Sequence, residues 1–133
     1  MIILMMLVFV GGAVGTLCRL WLSSWIARRV GPPFPWGTLT VNVIGSFLIG
    51  LILEWPDVVR QPASSVFWVA LLAVGFCGGL TTFSSFSLQT FALLLEKRWT
   101  AAVGNIALST IWCVLAVAGG VEMAKILSGV RIG

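Results

Sequence analysis

The residues of this chain that invite chemistry crowd into one window, Gly75-Phe76-Cys77-Gly78-Gly79-Leu80-Thr81-Thr82-Phe83-Ser84-Ser85-Phe86. Paired glycines, paired threonines, two adjacent serines and the phenylalanines Phe83 and Phe86 interrupt a run that is otherwise apolar. Backbone that leaves a helix at bilayer depth strands polar groups, and it persists only where it is buried in protein or lines a cavity. Bare carbonyls around Gly78 and Thr81 are oxygen ligands suited to a hard cation such as Na⁺, with no acidic side chain required. Phe83 and Phe86 lie three apart and share a helical face. Ring edges turned to a pore attract an anion, ring faces attract a cation, and ordinary packing is the alternative open to both.

Other polar residues fall at helical spacing. Thr38, Asn42, Ser46 and Gly50 recur every four residues, and Asn105, Ser109 and Cys113 repeat that period later, with Thr110 adjacent. A mid-membrane Asn42 either bonds a neighbouring helix or donates its amide N–H to a passing anion. The two stripes read together as walls of one narrow polar track. Arg19 follows Gly11, Gly12, Gly15 and Thr16; Gly11 and Gly15 form a small-xxx-small packing face. The Arg19 guanidinium either snorkels to the interface or stands at the mouth of an aqueous vestibule and raises the local anion concentration.

Glu54, Asp57, Glu96 and Glu122 all sit at or near segment ends, and the chain has no His. A proton-coupled exporter ordinarily needs an intramembrane acid. Passive conduction of a small ion is therefore favoured over coupled transport, and no catalytic constellation suggests an enzyme. Cys18, Cys77 and Cys113 are widely spaced in apolar segments, which suits core residues rather than a zinc site or disulfide framework.

The elements that must position these residues are membrane helices. The 133 residues are 59% hydrophobic and only 9% charged, with a mean hydropathy of +1.10, so lipid is the main solvent. Residues 1–133 form a single transmembrane domain of four spans, expected at about 2–26, 37–53, 67–95 and 100–127. The net charge of +4 lies in loops, without a basic stripe for nucleic acid. The N-terminal run lacks the basic start of a signal peptide and reads as a retained span. Continuous helix over 67–95 would measure about 43 Å against about 30 Å of hydrocarbon. A break near 78–85 absorbs the excess and predicts two half-helices meeting near the midplane. Six tryptophans (Trp21, Trp25, Trp36, Trp55, Trp68, Trp99) lie near span ends as interfacial belts require, while Trp112 sits mid-span and is expected to pack against another helix.

With four spans, Arg60, Lys125 and Arg131 share one side and Arg28, Arg29, Lys97 and Arg98 the other. So even a balance gives almost no orientation bias. Either one orientation is weakly specified, or the chain inserts both ways and pairs with an inverted copy, imitating the inverted repeats of larger transporters.

Gly11-Gly12-x-x-Gly15-x-x-x-Arg19, Gly37-Thr38-Leu39-x-Val41-Asn42-x-x-Gly45 and the window from Gly75 to Phe86 together resemble the CrcB/Fluc family of fluoride channels. The resemblance spans all four segments in order, and the third motif alone is highly specific. It implies an all-α membrane protein of four transmembrane helices with a broken third helix, assembled as an antiparallel, dual-topology homodimer. It implies passive export of cytoplasmic fluoride across a bacterial cytoplasmic (inner) membrane, with resistance to fluoride as the benefit. By the same resemblance, the carbonyls of Gly78 and Thr81 from both subunits hold a structural Na⁺, and Asn42, Phe83, Phe86 and Ser109 line the pore. Cys113 is a further pore position, and Arg19 lies near the vestibule. Ser85 departs from an expected Thr, and Asn105 and Cys113 from an aromatic and a hydroxyl residue. The competing reading is a small four-helix coupled exporter similar to the small multidrug resistance proteins. That reading needs a central acid in the first span, where this chain has Gly, Ala, Val and Thr.

Overall fold

The computed structural model describes residues 1–129, with the backbone alone for Pro62. Arg131, counted in the charge balance, lies outside the described residues. Among the described residues every regular element is helical, in the order α1 (Ile2–Val30), α2 (Trp36–Leu53), α3 (Pro56–Arg60) and α4 (Pro62–Trp68). A π-helical stretch (Val69–Cys77) leads into α5 (Gly78–Leu80), followed by α6 (Phe83–Leu95) and α7 (Trp99–Leu127). Four stretches are long and apolar enough to cross a membrane: Ile2–Val30, Trp36–Leu53, Ala63–Leu95 and Trp99–Leu127. The segment read from sequence as a loop, 54–64, instead contains α3 and the start of α4, each opened by a proline in its first turn. Proline suits that position because its missing N–H would have had no helical partner there.

Packing divides into two close pairs, α1 with the π-helical stretch and α2 with α7. Lipid is as apolar as a leucine side chain, so helices in a membrane gain most from close backbone approach over small residues. Gly11 and Gly15 are the buried residues of α1, and a Cβ on Gly15 would overlap the carbonyl of Phe76. Gly120 does the same for the second pair, where a Cβ would overlap the carbonyl of Phe47. The α7 face that packs inward is otherwise made of Ala102, Asn105, Ser109 and Ala124. Trp112 lies off that face and is 52% exposed, so it does not pack against another helix of this chain as expected. Large apolar side chains such as Phe9, Leu88 and Val114 point outward, as a lipid-facing surface requires.

The α6–α7 turn is tightly built. Arg98 N–H donates to Leu93 O at 2.9 Å and Lys97 N–H to Leu94 O at 3.0 Å, with Lys97 at φ 57°. These two bonds make a Schellman stop, which sends α7 back antiparallel to α6. Arg98 Nη1 also donates to Pro33 O at 3.4 Å, joining this turn to the α1–α2 connector at the same end of the bundle.

Candidate functional site

Thr81 and Thr82 leave the helical region, with φ −82°, ψ 155° and φ −152°, ψ 115° respectively. The amide and carbonyl of Thr82 and the carbonyl of Thr81 each have a partner from another element. Thr81 N–H still closes on Cys77 O at 2.9 Å, so helical geometry runs on through Gly78, Gly79 and Leu80. The extended backbone is therefore narrower than the expected 78–85. Thr82 N–H donates to Asn42 Oδ1 at 2.7 Å, while Asn42 Nδ2 donates to Thr82 O at 3.1 Å. This double contact fixes which end of the amide is which. It also takes away the amide that another turn of α-helix would have brought to the carbonyl of Gly78. From α1, Thr16 Oγ1 donates to Gly79 O at 3.4 Å and Arg19 Nη1 to Thr81 O at 3.5 Å. Arg19, half-buried, thus reaches the backbone of this extended pair.

Thr82 then starts α6. Its buried Oγ1 accepts from Ser85 N–H at 3.2 Å and donates to Ser85 Oγ at 3.1 Å, which leaves Ser84 Oγ, 3.2 Å away, as a donor to it. A capped first turn holds Phe83 and Phe86 on one side of the helix, their ring centroids 5.5 Å apart and their planes tilted by 46°. Phe83 is 80% exposed in the single chain.

Beside these rings lies a groove of about 320 Å³, lined by Asn42, Ser46, Phe83, Phe86, Ser109 and Cys113 among others. Thr81 borders it too; Arg19 and Gly78 do not. Gly78 instead faces outward, with nothing within 4 Å of an added Cβ. The structure thus brings together Asn42, Thr81, Phe83, Phe86 and Ser109 from three helices and the extended pair. The polar track is shorter than its sequence period suggests. Thr38 faces a different cavity of about 570 Å³, between the end of α1, the connector over 31–35, the start of α2 and α6. Asn105 turns away from the groove to donate to Thr90 Oγ1 at 2.8 Å.

Sequence reasoning gave no individual role to four polar residues here. Thr82 had a legible signal, a threonine followed three residues later by serine at the start of an apolar helix. Thr16 and Thr90 had none, because a lone threonine in a membrane helix reads as bonding its own backbone. Gln89 lines the larger cavity, and its Oε1 is buried without a hydrogen-bond partner among the described residues.

Residues 6–121 match the family described as "CrcB-like protein, Camphor Resistance (CrcB)". The chain belongs to the CrcB family. Among its relatives, the "Fluoride-specific ion channel FluC" of Leptospira interrogans serogroup Icterohaemorrhagiae serovar copenhageni is 42% identical over 121 residues, covering 91% of this chain and 94% of the relative. A protein of the same name from Methylocella silvestris is 44% identical over 115 residues, 83% of this chain and 84% of its own. Another, from Citrifermentans bemidjiense, is 43% identical over 116 residues, 87% and 92% of the two chains. Every groove residue named above falls inside the stretch that matches the CrcB family, as do Arg19 and Gly78. The groove thus belongs to the CrcB unit itself rather than to an appended segment.

Proposed function

We propose that this chain is a fluoride-selective channel that lets cytoplasmic fluoride leave passively, across the inner membrane of a bacterium, and so protects against fluoride toxicity. The observation that carries the reading is the groove. It joins a fixed amide, hydroxyls and two phenylalanine rings without a carboxylate, in a chain whose relatives bear the name fluoride-specific ion channel. Asn42 Nδ2 carries two N–H bonds, and Thr82 O takes one of them. The other is free to donate to an anion, and ring edges of Phe83 and Phe86 add positive quadrupole; the Ser109 hydroxyl borders the groove with its proton directed to Asn105 Oδ1 at 3.5 Å, and an anion there would have to draw it away. Such donors replace the water that a small, strongly hydrated anion must shed. HF enters cells as a neutral acid and dissociates in neutral cytoplasm. A membrane potential then favours exit of the trapped anion by about 2.3 kcal/mol per 100 mV.

The assembly belongs to the same proposal. Thr81 and Thr82 separate a pair of half-helices, and a second copy in opposite orientation crosses them there. The exposure of Phe83 and the open side of the groove support a partner that closes the path. The carbonyls of Gly78 and Thr81 from both copies then suit a structural Na⁺. Diversion of Thr82 N–H to Asn42 and the open space outside Gly78 fit that role. Thr81 O is shared with Arg19, but a carbonyl has two lone pairs. When bound, the ion would supply a fixed positive charge holding the two crossings together.

The competing coupled exporter lacks its central acid. Glu54 and Glu96 cap the ends of α2 and α6, Asp57 lies in α3, and exposed Glu122 is 3.0 Å from Lys125 near the end of α7. Purified protein in liposomes, followed with fluoride- and chloride-selective electrodes, tests the channel reading. Fluoride should leave without a proton gradient and far faster than chloride. Equal release of both ions, or fluoride release only under a proton gradient, rejects it.

A further inference from the structure

Phe86 and Thr90 stand one turn apart on α6, and Asn105 and Ser109 stand one turn apart on α7. The antiparallel course of the two helices sets these pairs opposite each other as two rungs, Thr90 to Asn105 and Phe86 to Ser109. The second rung borders the groove; neither member of the first does. That first rung is dry, with Thr90 only 7% and Asn105 only 2% exposed. Asn105 Nδ2 donates to Thr90 Oγ1 at 2.8 Å, and Thr90 Oγ1 donates in turn to Phe86 O at 2.8 Å. Ser109 Oγ donates to Asn105 Oδ1 at 3.5 Å. One chain of hydrogen bonds therefore runs from Ser109 through the dry rung to the backbone of Phe86.

Within this chain α6 packs mainly on α7. Apolar contact with one neighbour leaves a membrane helix with shallow preferences in rotation, whereas a buried hydrogen bond is directional. Rolling α6 by one residue, about 100°, would leave the Asn105 amide and the Thr90 hydroxyl without each other in a water-free place. Residues at i and i+4 share a face, so whatever fixes Thr90 also fixes where Phe86 points. We propose that Asn105 and Thr90 are positioning residues: their bond sets the rotation of α6 and hence the direction in which the Phe86 ring meets Ser109 across the groove. They contact no ion themselves. This rests on the proposed fluoride path along the groove.

The test measures fluoride efflux and the fluoride-over-chloride ratio, per folded protein in liposomes, for Thr90→Val, Asn105→Leu and the double variant. Each single change removes the buried Asn105–Thr90 bond, Thr90→Val together with the bond to Phe86 O and Asn105→Leu together with the one from Ser109, so flux should fall about tenfold and the ion ratio with it. Because both singles remove the same bond, the double variant should be no worse than the poorer single. Thr90→Ser keeps the hydroxyl and should restore flux and ratio. Thr90→Ala carries the same expectation as Thr90→Val should the latter not fold. Wild-type flux and ratio in Thr90→Val overturn the proposal, as does damage confined to Asn105→Leu, which would make Asn105 a direct ion contact. Additive losses in the double variant, or a lower yield of folded protein with unchanged flux per molecule, do the same. Wild-type protein without fluoride-selective efflux overturns the channel reading together with this one, so the two failures are distinguishable.

Discussion

The side-chain amide of Asn42 offers two N–H bonds and one carbonyl, and Thr82 engages the carbonyl and one N–H. A substitution here therefore acts on the extended backbone and on the groove together. In Asn42→Asp the carboxylate still accepts from Thr82 N–H, but it faces Thr82 O with no proton to give and adds negative charge where an anion must pass. Fluoride efflux should fall to background while the protein still purifies as a folded species; flux within twofold of wild type would remove Asn42 from the path. Phe83→Ile and Phe86→Ile test the rings separately. Isoleucine fills similar space but has no quadrupole, so each should lower fluoride flux at least tenfold, an effect of order 1.4 kcal/mol, comparable to an aromatic contact. Unchanged efflux in both would return the rings to packing. Spacing put Asn42 and Ser109 on polar stripes and Phe83 and Phe86 on one helical face, because periods of three and four align side chains; that all four line one path came from the family resemblance, and the groove brings them together. It did not reveal that Asn105, on the same stripe as Ser109, finds Thr90 instead of the groove. Which of two facing helices a buried amide chooses depends on register, and register is set by the turn at Glu96–Arg98 rather than by period.

At the scale of elements, the extended pair Thr81–Thr82 is held from both sides. α2 supplies Asn42 and α1 supplies Arg19, with Thr16 of α1 holding Gly79 O just before the pair; both can reach only because α1 lies against the π-helical stretch at glycine distance. Gly15→Ala adds a methyl into the Phe76 carbonyl, backbone that cannot move aside as a side chain would. Overpacking of this kind costs about 1–3 kcal/mol. The variant should melt at lower temperature in detergent and lose flux through displaced Thr16 and Arg19. Wild-type melting would mean that α1 is free to shift. Gly78→Ala provides the contrast, since its methyl meets nothing in the single chain. The close approach of α1 was legible in the glycine-xxx-glycine pattern of Gly11 and Gly15. The π-helical stretch left no such mark: Val69–Cys77 is a plain apolar run, and a ladder widened to i→i+5 changes no composition or period that a short window can register.

For the whole molecule, the even Lys/Arg balance hides an uneven distribution of acids. The end carrying Arg28, Arg29, Lys97 and Arg98 includes a single acid, Glu96, whereas the other end sets Glu54, Asp57 and Glu122 against Arg60 and Lys125 among the described residues. Insertion responds to Lys and Arg far more than to acids, so neither end is retained strongly in the cytoplasm. Lateral pairing responds to net charge, and with Arg131 counted the second end is neutral in sequence, so an inverted pair sets the cationic end of one copy beside the neutral end of the other on both membrane faces. A parallel pair would set like ends together. Exposed Gln61 and Ser64 offer a place to break the balance. In Gln61→Lys/Ser64→Lys a C-terminal topology reporter should change from signalling on both sides to signalling in the cytoplasm alone, and fluoride resistance should be lost because every copy now points the same way. A second variant, Arg60→Gln/Lys125→Gln, should be biased the other way and be equally inactive by itself. Co-expression of the two should restore resistance, since each supplies the inverted partner the other lacks. Full resistance from either variant alone would show that one orientation suffices, and the antiparallel pair would then have to be abandoned.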